Sequence, residues 1–152
     1  MRMRGKKALF NYRDTFSLDS TLASVIKAGL EKFKEVLLER DAKGGCLGIP
    51  CGLEDTHSIP FDHDSIEEGF KEWISIIDKM IVGFSEGPSI EDYDFSYDMN
   101  DEKVEEGGNV SYTLTCTNED ERDRYWRDCE IHRQQRLEGR ELFAKHFEDL
   151  WW

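Results

Sequence analysis

The segment between residues 46 and 64 holds the side chains best suited to metal chemistry. Thiolates and imidazoles together suit zinc, and Cys46 and Cys51 are followed by His57 and His63. Neither pair stands in a motif that is specific for zinc. We therefore interpret these residues as part of an irregular loop with free thiols, and we expect no cofactor.

The same segment offers a second set of ligands, which mixes carboxylates with imidazoles. Its members are Asp55, His57, Asp62, His63 and Asp64. Such a set could hold a divalent cation for phosphoester hydrolysis, which makes a metal-dependent phosphoesterase one alternative function. Ser65 and Glu68 have the spacing of a capping box, so part of the cluster is also explained by the start of a helix.

An aromatic ring beside arginines can stack a base and hold phosphates. Near the C-terminus, Trp126 is accompanied by Arg124, Arg127, Arg133 and Arg136. The same stretch contains Asp123, Asp128 and Glu130, which would pair with the arginines on a solvated helix. A nucleotide site and a helix rich in ion pairs both fit this pattern.

Motifs for nucleophilic catalysis are missing from the sequence. It contains neither the Gly-x-Ser-x-Gly elbow of hydrolases nor a glycine-rich loop that cradles phosphates. We therefore expect a protein that binds rather than one that catalyses.

Negative charge dominates the composition. The 152 residues have a formal net charge of −13, which opposes binding to nucleic acids and to anionic membranes. The densest region, residues 86–106, interleaves carboxylates with Tyr93, Phe95 and Tyr97. Spaced carboxylates can imitate a DNA backbone, so an acidic DNA mimic or protein inhibitor is another alternative function, beside a merely solvated loop.

Hydropathy argues for a cytoplasmic protein. No run approaches the roughly 18 apolar residues of a membrane helix, and the first residues lack the apolar stretch of a signal peptide. The four cysteines are accordingly expected to be reduced.

Hydrophobic periodicity predicts the elements that must position these side chains. We expect helices from Asp19 to Gly44-Gly45, from Ser65 to Ser85, and from Asn118 toward Trp152. Val110 to Cys116 alternates as a half-buried strand does, and residues 95–97 could open its partner. The sequence thus predicts a mainly α fold in one domain, 1–152. In it, three long amphipathic helices form a bundle, 1–18 leads in, and 86–117 is an acidic segment with a small β-hairpin before the last helix.

Two stretches resemble a known group of proteins. They are the opening Arg13-Asp14-Thr15-Phe16-Ser17-Leu18-Asp19, and Glu72-Trp73 with the following Ile77-Asp78-Lys79-Met80-Ile81. They are similar to an uncharacterised family of small tailed-phage or prophage proteins, with an Arg-Asp-Thr-Trp-Ser-Leu-Asp opening and a Glu-Trp then Leu-Asp-Lys-Met-Ile helix. This chain departs from that pattern with Phe16 in place of the tryptophan.

The resemblance implies a phage protein with a helical core, acting in the cytoplasm of an infected bacterium. Since small non-catalytic phage proteins often oppose host defence, we expect an anti-defence protein that sequesters a nucleotide-derived immune messenger without cleaving it. We also expect a homo-oligomer that binds neither nucleic acid nor membrane, with a host defence protein as a further possible partner. The expected ligand contacts are Arg13, Asp14, Trp73, Lys79, Trp126, Arg133 and Arg136.

Overall fold

The computed structural model describes residues 2–4, 7–9, 17–44, 48–50, 53, 63–104 and 110–150, with side chains described for 17–44, 48–50, 53, 66–99 and 112–150. Three long helices dominate: α1 (Leu18–Asp41), α2 (His63–Gly83) and α3 (Glu119–Lys145). An antiparallel hairpin, β3 (Tyr97–Val104) with β4 (Val110–Cys116), precedes α3. The predicted fold class is confirmed.

The N-terminal lead-in contains two short strands that the sequence analysis did not anticipate. Two short strands, β1 (Arg2–Arg4) and β2 (Lys7–Leu9), pair in antiparallel register with Arg2 opposite Leu9. Three residues per strand are too few to display the period-two pattern by which strands are recognised in a sequence.

The last helix ends earlier than expected, at Lys145. A short 3-10 helix, Phe147–Asp149, follows it. His146 precedes this turn, and its Nδ1 lies 2.8 Å from Oδ2 of Asp149, while the backbone N–H of Asp149 donates to the carbonyl oxygen of His146 at 3.0 Å. These local bonds favour the tighter turn over a further turn of α-helix.

The chain folds into two compact units. The first unit comprises Met1–Ser85 and Gln135–Trp152, and the second, which we call the acidic unit, comprises Glu86–Gln134. The acidic unit holds 15 acidic and 5 basic residues, so it carries −10 of the formal net charge of −13. The expectation of a single domain stays a prediction.

The first unit is organised around one apolar core. α1 contributes the buried Leu30 and Leu37, and α2 contributes four buried residues at helical spacing: Phe70, Trp73, Ile77 and Met80. Residues spaced by three and four lie on one face of a helix, which is why these four side chains share one stripe. The periodicity of the sequence therefore located the core correctly.

Two glycines allow a close approach of α2 and α3. Gly83 and Gly139 are both buried, and a Cβ built on Gly83 would lie 2.7 Å from the carbonyl carbon of Gly139. The guanidinium Nε of Arg140 donates to the carbonyl oxygen of Gly83 at 2.9 Å. Nearby, the ammonium of Lys79 pairs with Glu138 at 2.8 Å. These contacts fix the end of α3 within the first unit.

Candidate functional site

One face of the β3–β4 hairpin is rich in apolar residues, and the other is polar. In its register, Met99 lies opposite Leu114 and Tyr97 lies opposite Cys116. Because alternate side chains of a strand point to the same side, Tyr97 and Met99 share a face with Leu114 and Tyr112. We call these four residues the hairpin patch.

The hairpin patch is open to solvent, although the sequence predicted a half-buried strand. Tyr97 and Met99 are 48% and 65% exposed, and Tyr112 and Leu114 are 54% and 61% exposed. Side chains on the opposite face, such as Thr113, are exposed as well. The alternation located the strand correctly, but no period in the sequence tells whether another element covers its apolar face. Contiguous exposed apolar patches commonly mark interaction surfaces.

Carboxylates surround the chain that enters this hairpin. The exposed ones are Glu86, Glu91, Asp92, Asp94 and Asp98. None of them forms an ion pair with another residue whose side chain the structure describes. Their charges are therefore available to a cationic partner.

A partly buried hydrogen bond joins the acidic segment to α3. The phenol of Tyr93 donates to Oδ2 of Asp128 at 2.8 Å, and the guanidinium of Arg124 lies 5.6 Å from the centroid of the Tyr93 ring. Nε of Arg124 is also 4.0 Å from Oδ2 of Asp128. The hydrogen bond to Asp128, together with burial and the negative charge of that carboxylate, raises the pKa of Tyr93 to about 12.

Aromatic contacts extend from this anchor to the hairpin patch. The ring of Tyr125 on α3 lies 5.2 Å from that of Tyr93 and 5.8 Å from that of Phe95, and Phe95 is in turn 6.1 Å from Tyr97. These edge-on and tilted geometries are the favourable ones for aromatic pairs. Trp126, 5.1 Å from Tyr125, remains 59% exposed.

The open end of the hairpin is also pinned. The backbone N–H of Ser96 donates to the hydroxyl oxygen of Thr117 at 2.8 Å, and the N–H of Thr117 donates to the carbonyl oxygen of Ser96 at 2.9 Å. The next residue, Asn118, caps α3 by accepting from the N–H of Glu121 at 3.3 Å. The hairpin, its acidic lead-in and the start of α3 thus form one supported arrangement inside the acidic unit.

The expected ligand contacts occupy very different surroundings. Arg13 and Asp14 lie outside the described residues. Trp73 is fully buried, with ring centroids 6.4 Å from Phe33 and 5.4 Å from His146, so packing accounts for it without a ligand. Lys79 is engaged with Glu138.

The three expected contacts on α3 differ in availability. Arg133 forms a two-pronged ion pair with Glu130 at 2.8 and 2.7 Å, and this arginine, with Gln134, lowers the pKa of Glu130 to about 2. Arg136 is half-buried, and its Nε has no hydrogen-bond partner in the described part of the chain. Trp126 alone of the three offers a large exposed ring. Trp126 and Arg133 belong to the acidic unit, and Arg136 to the first unit.

The metal ligands considered from the sequence fall outside the described side chains. They are Cys46, Cys51, Asp55, His57, Asp62, His63 and Asp64. Among the side chains that are described, no group of three or more His, Cys, Asp or Glu residues could hold a metal ion.

The first unit contains an apolar groove that the sequence analysis did not anticipate. Its volume is about 240 Å³, and it is lined by Ile26, Gly29, Leu30, Phe33, Phe143 and Leu150. No charged or hydrogen-bonding side chain lines it, so it lacks the donors that a nucleotide phosphate requires. Residues from distant parts of the chain form this groove, which is why periodicity could not reveal it.

Comparisons with models of known protein families, with curated proteins and with solved structures give no match. The resemblance to small phage proteins therefore stays an expectation. In the described part of the chain, no helix has both the length and the apolar character needed to cross a membrane.

Proposed function

We propose that this is a non-catalytic binding protein whose acidic unit binds a basic surface of a partner protein. One observation carries the proposal: the exposed hairpin patch lies in the same small unit as carboxylates that form no ion pair among the described side chains, and this unit has a net charge of −10. The negative charge would attract the partner, and burial of the apolar patch would stabilise the complex.

The negative charge of the acidic unit selects cationic partners and speeds their association. A unit with ten excess negative charges attracts cationic surfaces and repels anionic ones, and such complementarity raises association rates more than it raises affinity. Exposed carboxylates such as Asp94, which precedes the patch in the sequence, and Asp98, on the opposite face of β3, are suited to pair with lysine or arginine around the edge of an interface.

Burial of the hairpin patch stabilises the complex after the partner has bound. Burying apolar surface is worth roughly 25 cal/mol per Å², and tyrosines are among the residues that dominate interface energetics. Tyr97 and Tyr112 are both about half exposed, and both stand beside an aliphatic side chain of the same patch. Covering this surface with a partner therefore removes more apolar area from water than an ordinary solvated loop would.

A binding protein with these features is suited to act as an inhibitor. Its negative field would place the acidic unit in a channel that normally receives a polyanion, and occupying that channel prevents the normal ligand from entering. This deepens the acidic mimic considered from the sequence. Phage origin and a role against host defence remain expectations of the resemblance.

Sequestration of a nucleotide messenger remains the alternative proposal, supported by the exposed ring of Trp126. Arg133, its expected partner, already satisfies the carboxylate of Glu130. Thermal unfolding against a panel of cyclic dinucleotides tests this alternative, because a ligand at a hundred times its Kd adds about 2.7 kcal/mol of stability.

Two variants that lose the same number of carboxylates, one in each unit, test the leading proposal. The test variant combines Glu91→Gln, Asp92→Asn, Asp94→Asn and Asp98→Asn, all at exposed positions of the acidic unit. The control combines four exposed carboxylates of the first unit: Glu68→Gln, Glu72→Gln, Glu141→Gln and Glu148→Gln. Both variants lose four charges, so they differ only in where charge is lost.

Each immobilised protein is then exposed to bacterial lysate at physiological salt. The proposal expects the wild type and the control to retain the same basic proteins, and the acidic-unit variant to lose them. Equal retention by all three proteins, or retention of nothing by the wild type, would overturn it.

A further inference from the structure

We infer that the β3–β4 hairpin imitates single-stranded nucleic acid, so that the partner is a protein whose groove stacks bases and holds phosphates. This inference rests on the proposed function, which requires only a basic partner. The inference specifies which chemical groups line the partner's groove, and it is argued from the hairpin patch and the residues around it.

The hairpin patch presents two exposed aromatic rings on one face. Proteins that bind single strands stack bases on aromatic side chains along a cationic groove, and this stacking tolerates every base because each base has a π-face. Tyr97 pairs with Cys116, so Tyr112 lies four residues further along the hairpin, at about 13 Å from Tyr97 in the strand direction. Two exposed phenol rings on one face, separated by Met99 and Leu114, thus offer two stacking positions with apolar filling between them.

The amount of charge fits one strand better than a duplex. β3 has eight residues and therefore spans about 27 Å. Duplex DNA of that length carries about 16 phosphate charges, whereas one of its strands carries about 8. The hairpin itself, residues 97–116, has five acidic residues and one basic residue, and its net charge of −4 is nearer to that of the single strand than to that of the duplex.

The hairpin lacks the features by which a base sequence is read. Sequence-specific proteins recognise hydrogen-bond donors and acceptors on base edges, and a phenol ring reproduces none of these patterns. Its apolar faces satisfy only partners that depend on stacking and charge. We therefore expect a partner that binds single strands with little sequence preference.

A second copy of this chain and a free nucleotide are poorer occupants of the patch. Two acidic units brought face to face would each bring a net charge of −10, and like charges across an interface cost free energy. A nucleotide phosphate would meet the same repulsion from Asp94 and Asp98. A cationic groove with aromatic side chains complements both features of the hairpin.

Competitive elution tests the inference with defined probes. The wild-type protein is immobilised, loaded with bacterial lysate, and washed with equal phosphate concentrations of oligothymidylate or of a duplex of the same length. We expect the retained proteins to leave with the oligothymidylate and to remain with the duplex. Retained proteins that leave equally with both probes, or with neither, would overturn the inference while leaving the proposed function in place; retention of nothing would remove both.

Variants of the two tyrosines separate stacking from simple charge. Tyr97→Ser with Tyr112→Ser removes both rings and should reduce retention by about tenfold or more. Tyr97→Phe with Tyr112→Phe keeps the rings and should retain the partner. Thr113→Ala with Thr115→Ala, on the opposite face of β4, serves as the matched control. All substituted side chains are exposed, so circular dichroism should show wild-type folding. Retention by the serine variant would show that the patch is not the contact surface.

Discussion

Tyr93 donates a hydrogen bond of 2.8 Å to Asp128, which joins the acidic segment to α3 across 35 positions of sequence. The bond belongs to the acidic unit, and the Tyr125 ring packs against the same phenol. An acidic stretch would otherwise repel itself into extended conformations. The anchor therefore holds the carboxylates and the hairpin patch in one arrangement, which limits the entropy lost when a partner binds.

Removing this hydrogen bond should loosen the acidic unit. In Tyr93→Phe, Asp128 loses its closest donor, and the free energy of unfolding should fall, because a partly buried carboxylate is left less well satisfied. Denaturation with urea measures the change. Tyr97→Phe is the control, because no hydrogen bond of the Tyr97 hydroxyl is found among the described residues, and it should unfold as the wild type does. Equal unfolding midpoints for the two variants would argue against the anchor.

The same bond predicts a loss of stability in alkali. Folding raises the pKa of Tyr93 from its ordinary value of 10.0 to about 12, so the folded protein keeps a proton that the unfolded chain releases. The contribution of Tyr93 is complete below pH 10.0 and disappears as the pH rises through about 12. Urea unfolding at a series of pH values should show a steeper decline for the wild type than for Tyr93→Phe; parallel curves would contradict the assignment.

The crossing of α2 and α3 should not tolerate a side chain at Gly139. A Cβ there would lie 2.7 Å from Cα of Gly83 and would also overlap the carbonyl oxygen of Lys79. Backbone atoms cannot yield easily, so Gly139→Ala should lower the free energy of unfolding by about 3 kcal/mol or more. Chemical denaturation measures this loss.

The same substitution at Gly29 should raise the stability rather than lower it. Nothing lies within 4 Å of a Cβ at Gly29, and the residue lies in the interior of α1. Alanine should therefore raise the stability by about 0.5–1 kcal/mol. If Gly139→Ala raised the stability as Gly29→Ala should, the helix crossing described for α2 and α3 would be wrong.

Alanine substitutions of two tryptophans should distinguish a side chain that packs in the core from one that is available for recognition. Trp73 is fully buried, so Trp73→Ala should cost about 3–5 kcal/mol of stability, whereas the exposed Trp126→Ala should cost at most about 1 kcal/mol. Thermal unfolding of both variants measures the difference. A mild effect of Trp73→Ala would reopen the ligand role expected for that residue.

The Arg133–Glu130 pair predicts a local titration. Hydrogen bonds from Arg133 and Gln134 lower the pKa of Glu130 from 4.5 to about 2, so its stabilising contribution is present above pH 4.5 and is lost as the pH falls through about 2. In Arg133→Ala the pKa should return toward 4.5, as followed by NMR of the carboxyl group. Arg127→Ala, one turn away on the same helix, should leave the pKa low. An unchanged pKa in Arg133→Ala would mean that this pair does not form.

Local and periodic features of the fold were predictable from the sequence. The stripe containing Trp73, Ile77 and Met80 revealed the buried face of α2, and alternation in residues 110–116 revealed β4. Contacts between distant positions were not predictable. Gly83 meets Gly139, and Tyr93 meets Asp128, through tertiary packing that no period encodes. For the same reason the sequence located the acidic segment but not the exposure of its hairpin, on which the candidate site depends.

Competition for one groove tests the central claim most directly. A partner recovered from the immobilised protein is bound to fluorescent oligothymidylate, and the fluorescence anisotropy is followed as this protein is added. The account predicts that the anisotropy falls to that of the free oligonucleotide with the wild type and with Tyr97→Phe/Tyr112→Phe, but not with Tyr97→Ser/Tyr112→Ser. An anisotropy that stays constant or rises with the wild type would show that the oligonucleotide and this protein occupy different sites, and would contradict the account.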